Sequence, residues 1–557
     1  MVIWIYCRSN ISARPIATSS VLKMPLTQTL QLLLIVLTSI LSYGRTWLIQ
    51  DVIWDDNSWL LSAYATDNLR AFLETGFVES RREALGTFLY GLLSLHKSGD
   101  YYYPVWHGLN TLTQIGTPLL LYFFVRNLFH GSSLLAFFTA ISLIVFPLDY
   151  TLPYASVINY RFGLLLGIAS LFLIERALRR ENVGLGLLAG SLVSGSTAYF
   201  IFMEGAVAFE PARALIIGYL LHEHGLRRKT LYARTLALWS PFLVFAILFI
   251  VYKLVFRTYG IYAEIYAADL SALFHWKGLG KTFAHLLFYQ WFVLLRETKF
   301  FSLVSYLLGA TGVFLFLVVL RNRIVRKEEL AQLKPIDEHQ TGALTSENVR
   351  FAIVLAIALV LPQALMFLLF GRPFAPGMNS SHATLAQAGY AVAGGLLLTL
   401  VATRTTPRHG LRLLSAMAIG VGIFMNNVNL DMYFESWKAQ TQFWDRFRER
   451  FPTLPENVTF FFDVQDNRLY TDLRNYYDFE FQINLLYDTG GPASRFRKYK
   501  AYTITELHET PGRTPESLVR AAIIERPTHL AKDLLKPRDF IVVHYRHGQL
   551  LTGRDIL

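Results

Sequence analysis

Long apolar runs separated by short polar connections fill most of the chain. The first strongly apolar run is Leu30–Leu41. Others follow at roughly 108–125, 133–148, 162–177, 183–202, 205–221, 235–254, 301–320, 351–370, 384–402 and 411–427. Most are long enough to cross a hydrocarbon layer of about 30 Å as a helix, and together they predict about eleven transmembrane helices. The run at 205–221 is interrupted by Glu210, Pro211 and Arg213. Between the first and second runs lies a polar-aromatic segment, 44–104. Helical spacing recurs in it over Asn57–Leu73 and Arg82–Leu95, and the second stretch puts Leu85, Phe88, Leu89, Leu92 and Leu93 on one side. Helices of that kind lie in the membrane interface or pack on the bundle. A second unusual segment, 255–300, carries Arg257, Glu264, Asp269, His275 and Lys281, then a short apolar-aromatic piece at 283–295. This piece is read as an interfacial or re-entrant helix, because a full crossing would put the basic stretch Arg321–Lys334 on the outer side.

Beyond Asn427 the pattern changes. Phe434–Phe451 is amphipathic and charged. Asn457–Val464 (NVTFFFDV) and Phe540–Tyr545 (FIVVHY) read as buried strands, with Pro, Gly and Asp between them. The expectation is a transmembrane unit over residues 1–427 and a small soluble α/β domain over 428–557, a normal domain size.

Composition sharpens the class. Of 557 residues, 53% are hydrophobic and only 17% charged, against about 25% charged in soluble domains. Mean hydropathy is +0.36. The net charge of +12 is dispersed over short connections, which does not suggest a nucleic-acid partner. Arg126, Arg176–Arg180, Arg227–Lys229, Arg321–Lys327 and Arg404–Arg412 alternate with connections poor in Lys and Arg. The positive-inside rule then sets the N-terminus in the cytoplasm and the C-terminal domain outside. The stretch before the first run carries Arg8, Arg14 and Lys23, but Ser42-Tyr43-Gly44-Arg45 is a poor cleavage site, so the first run is read as a retained span. Cys7 is the only cysteine, which leaves no intrachain disulfide.

Candidate chemistry begins at Trp54-Asp55-Asp56-Asn57, with Asp51 just before it. Ionisable groups at membrane level are functional suspects. Asp55 and Asp56 are adjacent and point apart on any regular element. One can face a cavity while the other caps the helix that follows, and Asp56-Asn57-Ser58 before Trp59 fits an N-cap equally well. A partly buried carboxylate there is a candidate general base. Arg161, Lys253, Arg257 and Arg372 fall near predicted outer span ends. Arg holds phosphate oxygens through paired N–H bonds, although snorkelling or ion pairing explains each one singly. Glu204 has no local partner, whereas Glu210 and Arg213 stand at i,i+3 and can neutralise each other. His382 sits in a proline-stiffened outer loop, and Trp54, Trp59, Trp106 and Tyr101–Tyr103 fit sugar stacking or an interfacial aromatic belt. No His/Asp/Glu cluster has clear metal-ligand spacing, and His222-Glu223-His224 falls on the inner side. Asn457-Val458-Thr459 matches a glycosylation sequon.

Acids in the first outer loop, directly after the first span and followed by in-plane helices, make roughly the first 427 residues resemble the GT-C superfamily of membrane glycosyltransferases. That group includes the protein O-mannosyltransferases and the aminoarabinose transferases. The residues that carry the resemblance are Asp55-Asp56, Tyr103-Pro104 with His107 and Asn110, and Tyr160-Arg161. Asp149 matches the second outer-loop acid common in that group. The stretch Ala198–Glu204 with Glu210–Arg213 looks like GT-C-like bacterial membrane proteins. The WWDYG signature of oligosaccharyltransferases is absent, which argues against that branch and its metal dependence. The resemblance implies a polyprenyl-phosphate-linked sugar donor drawn from the membrane, a glycan, lipid or protein acceptor, and inverting transfer on the outer face. It implies no organic cofactor and indicates no metal. Asp55 or Asp56 would be the base, and Arg161, Lys253, Arg257 and Arg372 would bind the donor phosphate. Asp149, Glu204, His107, Tyr103 and His382 would contact substrate. A transporter or flippase is the alternative, as is a non-catalytic scaffold for envelope polysaccharide.

Overall fold

Among its described residues the chain is a helical bundle that ends in a small sheet. The computed structural model describes residues 26–49, most of 59–97, 102–146, most of 148–180, 183–259, 300–331, 344–369, 377–403, 408–455, 458–464, 476–487, 499–503, 540–546 and 549–552. It also describes the single positions 277, 280 and 284. The proposed interfacial piece at 283–295 therefore lies almost wholly outside the described residues.

Helix α1 (Leu26–Tyr43) runs into a 3-10 turn, Gly44–Leu48. Short α2 (Leu69–Leu73) and amphipathic α3 (Glu83–Lys97) follow. Leu85, Leu89, Leu92 and Leu93 of α3 are buried in a cluster with Leu60, Phe72, Phe77, Trp106 and Ile158. The bundle continues with α4 (Tyr102–Leu128), α5 (Ser133–Val145), α6 (Ile158–Leu178) and α7 (Leu185–Thr197). Next come a π-helical turn, Ala198–Phe202, and a 3-10 helix, Glu204–Phe209. They lead into α8 (Glu210–Glu223) and α9 (Arg228–Val255). The interrupted run at 205–221 thus folds as a 3-10 helix and a 14-residue α-helix, with Pro211 in its first turn, where a missing N–H costs no hydrogen bond. Then come α10 (Phe300–Ala331), α11 (Ser346–Leu369), α12 (Gln387–Thr403) and α13 (Arg408–Arg450).

Among the described residues, five stretches are long and apolar enough to cross a membrane: 27–48, 185–202, 228–255, 346–369 and 413–450. Several present apolar side chains outward. On α9, for example, Val244, Leu248, Val251 and Leu254 are exposed, as expected of a surface whose solvent is lipid.

Helix α5 is the bundle's axis. Every residue from Leu135 to Val145 is buried, which requires an all-round apolar sequence. Its neighbours approach closely because they present glycine. A Cβ on Gly395 of α12 would stand 2.5 Å from the backbone nitrogen of Thr139, and one on Gly422 of α13 would stand 2.5 Å from the carbonyl oxygen of Val145. Without a hydrophobic difference between lipid and side chain, such close van der Waals packing is what holds membrane helices together.

The 43-residue α13 is about 65 Å long at 1.5 Å per residue. Its far end is shared with the C-terminal domain, where Ala439, Phe443, Trp444 and Phe447 form one core with Phe460, Phe462, Val464, Phe479, Ile483, Val543 and Tyr545. The elements there are β1 (Thr459–Val464), α14 (Tyr476–Tyr487), β2 (Lys500–Thr503), β3 (Phe540–Arg546) and β4 (Gln549–Thr552). The sheet order is β2-β1-β3-β4, with β1 parallel to β2 and β3, and β4 antiparallel to β3. The run FFFDV sends Phe460, Phe462 and Val464 into that core and Asp463 to the other face.

The Gly395 contact can be tested by substitution. Gly395→Ala should cost about 1–3 kcal/mol of stability, the usual penalty of overpacking. Gly312→Ala, where a Cβ meets nothing within 4 Å, should be neutral or slightly stabilising. Thermal unfolding of both variants in detergent reads the difference. Equal midpoints would mean that α12 and α5 are not in close contact.

Candidate functional site

Helix ends gather the polar side chains into two groups at opposite ends of the bundle. At one end the His130 ring bonds Glu223 at 2.7 Å, Arg179 pairs with Glu175 and Glu223, and Arg179 also donates to the carbonyl of Leu128. Burial raises the Glu223 carboxyl. The hydrogen bonds from His130 and Tyr219 and the charge of Arg179 outweigh burial and hold it below the usual range. The connections rich in Arg and Lys leave from this end. His222 and Glu223 belong to the last turn of α8, and His224 caps it by bonding the carbonyl of Leu220.

The opposite end holds the candidate site. Helix α5 is followed by Asp149, which is buried; Arg161, one turn into α6, is buried against it. Arg161 Nε donates to Asp149 Oδ2 at 3.3 Å, and Arg161 Nη1 donates to Asn110 Oδ1 at 2.9 Å. The backbone N–H of Thr151 donates to Asp149 Oδ1 at 2.8 Å. Two buried charges in an apolar bundle need this kind of reciprocal satisfaction, because each unpaired ion would cost several kcal/mol. Beside the pair, Tyr43 bonds the carbonyl of Ile144, and Asn426 Nδ2 donates to that same carbonyl at 2.9 Å.

Asp149 and Arg161 line a small cleft with a cavity volume of about 30 Å³. Tyr43, Thr113, Gln114, Thr117, Thr384 and Gln387 add hydroxyls and amides to its wall, and Leu143, Ile144, Phe146 and Leu164 add apolar surface. The cleft thus brings together both signs of charge, neutral hydrogen-bonding groups and apolar wall.

A second charged cluster lies at the same end. Glu204 opens its 3-10 helix and is bonded at 2.9 Å by Arg82 and at 3.0 Å by Lys253. Lys253 also donates to the carbonyl of Arg81 at 3.0 Å. Burial would raise the Glu204 carboxyl, but the Arg82 and Lys253 charges outweigh it and bring it down to about 2. Close to the cluster in the chain, the carbonyl of Phe202 accepts from Asn159 Nδ2 at 3.1 Å.

The remaining candidates are placed as follows. His107 is buried; its Nε2–H donates to the carbonyl of Ile49 at 2.9 Å, and its ring lies between Trp47 and Trp106. Tyr103 is half-buried in the cluster around α3. His382 stacks on Phe367 with centroids 4.8 Å apart and lies 6.2 Å from Tyr160. Arg257 is exposed just past the end of α9. Asp55, Asp56, Trp54 and Arg372 lie outside the described residues. On either side of 50–58, however, Ile49 is buried against Tyr154, Val157 and Tyr433, and Trp59 packs on Phe77. The structure brings together Asp149 with Arg161, and Glu204 with Lys253. His107 and His382 each stand in an aromatic setting. Three partners escaped the sequence reading: Arg82 on Glu204, and Tyr43 with Asn426 beside the Asp149–Arg161 pair. The first contact spans 122 positions and the Asn426–Tyr43 contact 383, so no local spacing signals them.

Together the fold and the site define a helix-rich chain with apolar helices of membrane-crossing length and a polar cleft at one end of the bundle. Compared with known proteins, the chain matches no family model, no curated protein and no solved structure.

Two predictions follow from the charges. Asp149→Asn or Arg161→Met alone should cost about 3–5 kcal/mol, as when a buried pair loses one partner, while the double variant should recover much of that loss. Additive losses in a double-mutant cycle would mean that the two side chains are not coupled. Glu204 is ionised well below its unfolded value, so its contribution is present above about pH 4.3 and fades as pH falls through about 2. Lys253→Met should therefore lower the thermal midpoint most near neutral pH. Its deficit against wild type should shrink on acidification, whereas a pH-independent deficit would contradict the pairing.

Proposed function

We propose that the protein is a membrane-embedded, inverting glycosyltransferase of the GT-C type. It takes its sugar from a polyprenyl-phosphate-linked donor and passes it to a glycan, lipid or protein acceptor on the outer face. In this reading α1 and α4–α13 make about eleven crossings, the His130–Glu223 end is cytoplasmic, and the C-terminal domain is extracytoplasmic.

The observation that carries the reading is the cleft lined by Asp149 and Arg161. It is a charged, hydroxyl-rich hollow at the end of the bundle where Ile49 and Trp59 anchor the chain on both sides of Asp55 and Asp56. Apolar faces such as that of α9 lead along the bundle to this end. A lipid-borne sugar reaches such a hollow sideways, with its chain still in the membrane.

The chemistry is a displacement at the anomeric carbon. An acceptor oxygen bonds to that carbon while its proton passes to Asp55 or Asp56. The bond from the carbon to the phosphate oxygen breaks, and the electron pair leaves on the polyprenyl phosphate. Arg257 and Arg372 receive the phosphate charge. Arg161 and Lys253, which the resemblance also assigns to phosphate, are engaged by Asp149 and Glu204. Their part is to hold the acidic groups and the helix ends in register until a phosphate competes for them. His107, Tyr103 and His382 shape the walls.

Separate Asp55→Asn and Asp56→Asn variants test the assignment in a transfer assay with a polyprenyl-linked donor. Loss of the base should reduce turnover by about 100- to 10,000-fold in one of them, with unchanged thermal stability. Full activity in both folded variants would remove the enzyme reading and leave a carrier or a scaffold.

A further inference from the structure

The C-terminal sheet contains a second place where chemistry is concentrated. From β1 the chain passes through α14 to β2 on one side, and it later returns as β3 on the other side of β1. The carboxyl ends of β1 and β3 therefore flank a switch in strand order. In open parallel sheets this is where connections part and leave a crevice, and ligands bind there.

At these ends stand Asp463 of β1 and His544 of β3, which are direct cross-strand partners. His544 Nδ1 and Asp463 Oδ2 are 2.8 Å apart, and the side chains are 22% and 17% exposed. Both project from the face opposite the aromatic core, since Phe462, Val464, Val543 and Tyr545 fill that core. A strand rich in Phe and Val accepts a carboxylate only where something satisfies it, and here the imidazole does.

The pairing fixes the ring. With Nδ1–H donated to Asp463, the neutral imidazole presents a lone pair at Nε2, which has no hydrogen-bond partner among the described residues. The adjacent carboxylate disfavours an anion at that spot, so the fitting ligand group is a hydrogen-bond donor. We infer that the crevice between the carboxyl ends of β1 and β3 is a carbohydrate subsite. There Nε2 of His544, oriented by Asp463, accepts a hydrogen bond from a sugar hydroxyl of the acceptor. The crevice and its dyad stand on the sheet topology alone; the choice of carbohydrate rests on the glycosyl-transfer reading.

The test uses the full chain in detergent, labelled with ¹⁵N in its histidine rings, with the His544 signals assigned by their loss in His544→Gln. Glucose-, mannose-, galactose- and N-acetylglucosamine-containing disaccharides are added singly at millimolar concentration. At least one should shift the Nε2 resonance in a saturable way, and Asp463→Asn should weaken that response about tenfold with the fold retained by circular dichroism. In the transfer assay His544→Gln should raise the acceptor KM by about tenfold and leave kcat within about twofold, the signature of lost ground-state binding. A resonance unmoved by every saccharide overturns the proposal. So does an equal response in Asp463→Asn, or a response to zinc ion alone. If Asp55→Asn and Asp56→Asn leave transfer intact, the glycosyltransferase reading fails by itself, and the saccharide response of His544 still decides this site.

Discussion

A buried ion pair is the constraint around which the polar end of this bundle is built. Asp149 and Arg161 sit side by side where the surroundings are helix and the solvent of the outer faces is lipid. Neither charge can be left alone there without a cost of several kcal/mol. The pair therefore draws in what it needs: Asn110 from α4 and the backbone of Thr151. Those bonds in turn fix the ends of α4, α5 and α6 at one level, and the cleft is the space left between these ends. A pair that only stabilised the fold would do as well buried in the middle. Here it faces a cleft that also presents hydroxyls and amides.

The Glu204 cluster obeys the same electrostatics with a different balance. One carboxylate meets two cations, and both are about a quarter exposed or less. The surplus positive charge lies beside the lipid-facing surface of α9. Carboxylate and ammonium hold each other in place. An ordered cation binds phosphate with less loss of side-chain freedom than one drawn from solvent.

Much of the architecture was legible from pattern alone, and the reasons are physical. Apolar runs of membrane-crossing length, the amphipathic spacing of Leu85, Leu89, Leu92 and Leu93, and the strand-like NVTFFFDV and FIVVHY are local signals, and they fold as helices and strands. The i,i+3 pairing of Glu210 with Arg213 is local too, and it is present at 3.0 Å. Long-range partners are what the sequence hides. Arg82 reads as the start of an amphipathic helix, and only the fold brings it to Glu204. Tyr43 enters the sequence only as part of a poor cleavage site, yet it bonds the carbonyl of Ile144 and meets Asn426. The end of the apolar signal at Asn427 likewise says nothing about where the helix stops, because helical geometry continues through a change of solvent. Phe443, Trp444 and Phe447 read as an amphipathic face because they pack on a sheet.

That continuous helix has a mechanical consequence. After Gly422 no glycine or proline interrupts α13 before Arg450, and the usual causes of a sharp kink are therefore absent. At the level of the cleft it is fastened by Asn426 to the carbonyl of Ile144, by Asn427 to the carbonyl of Leu41, and by Asp431 to Arg45. Little more than two turns further on, from Ala439, its apolar side is already part of the C-terminal core. A domain carried on a loop would sample many orientations above the bundle. One whose core includes the same helix that is fastened beside the cleft is held in a narrow range, since turning it means bending a packed helix or unfolding part of its own core. The strut therefore ties the sheet to the end of the bundle where the charges lie, and Leu485 of α14 adds a contact with the cluster around α3.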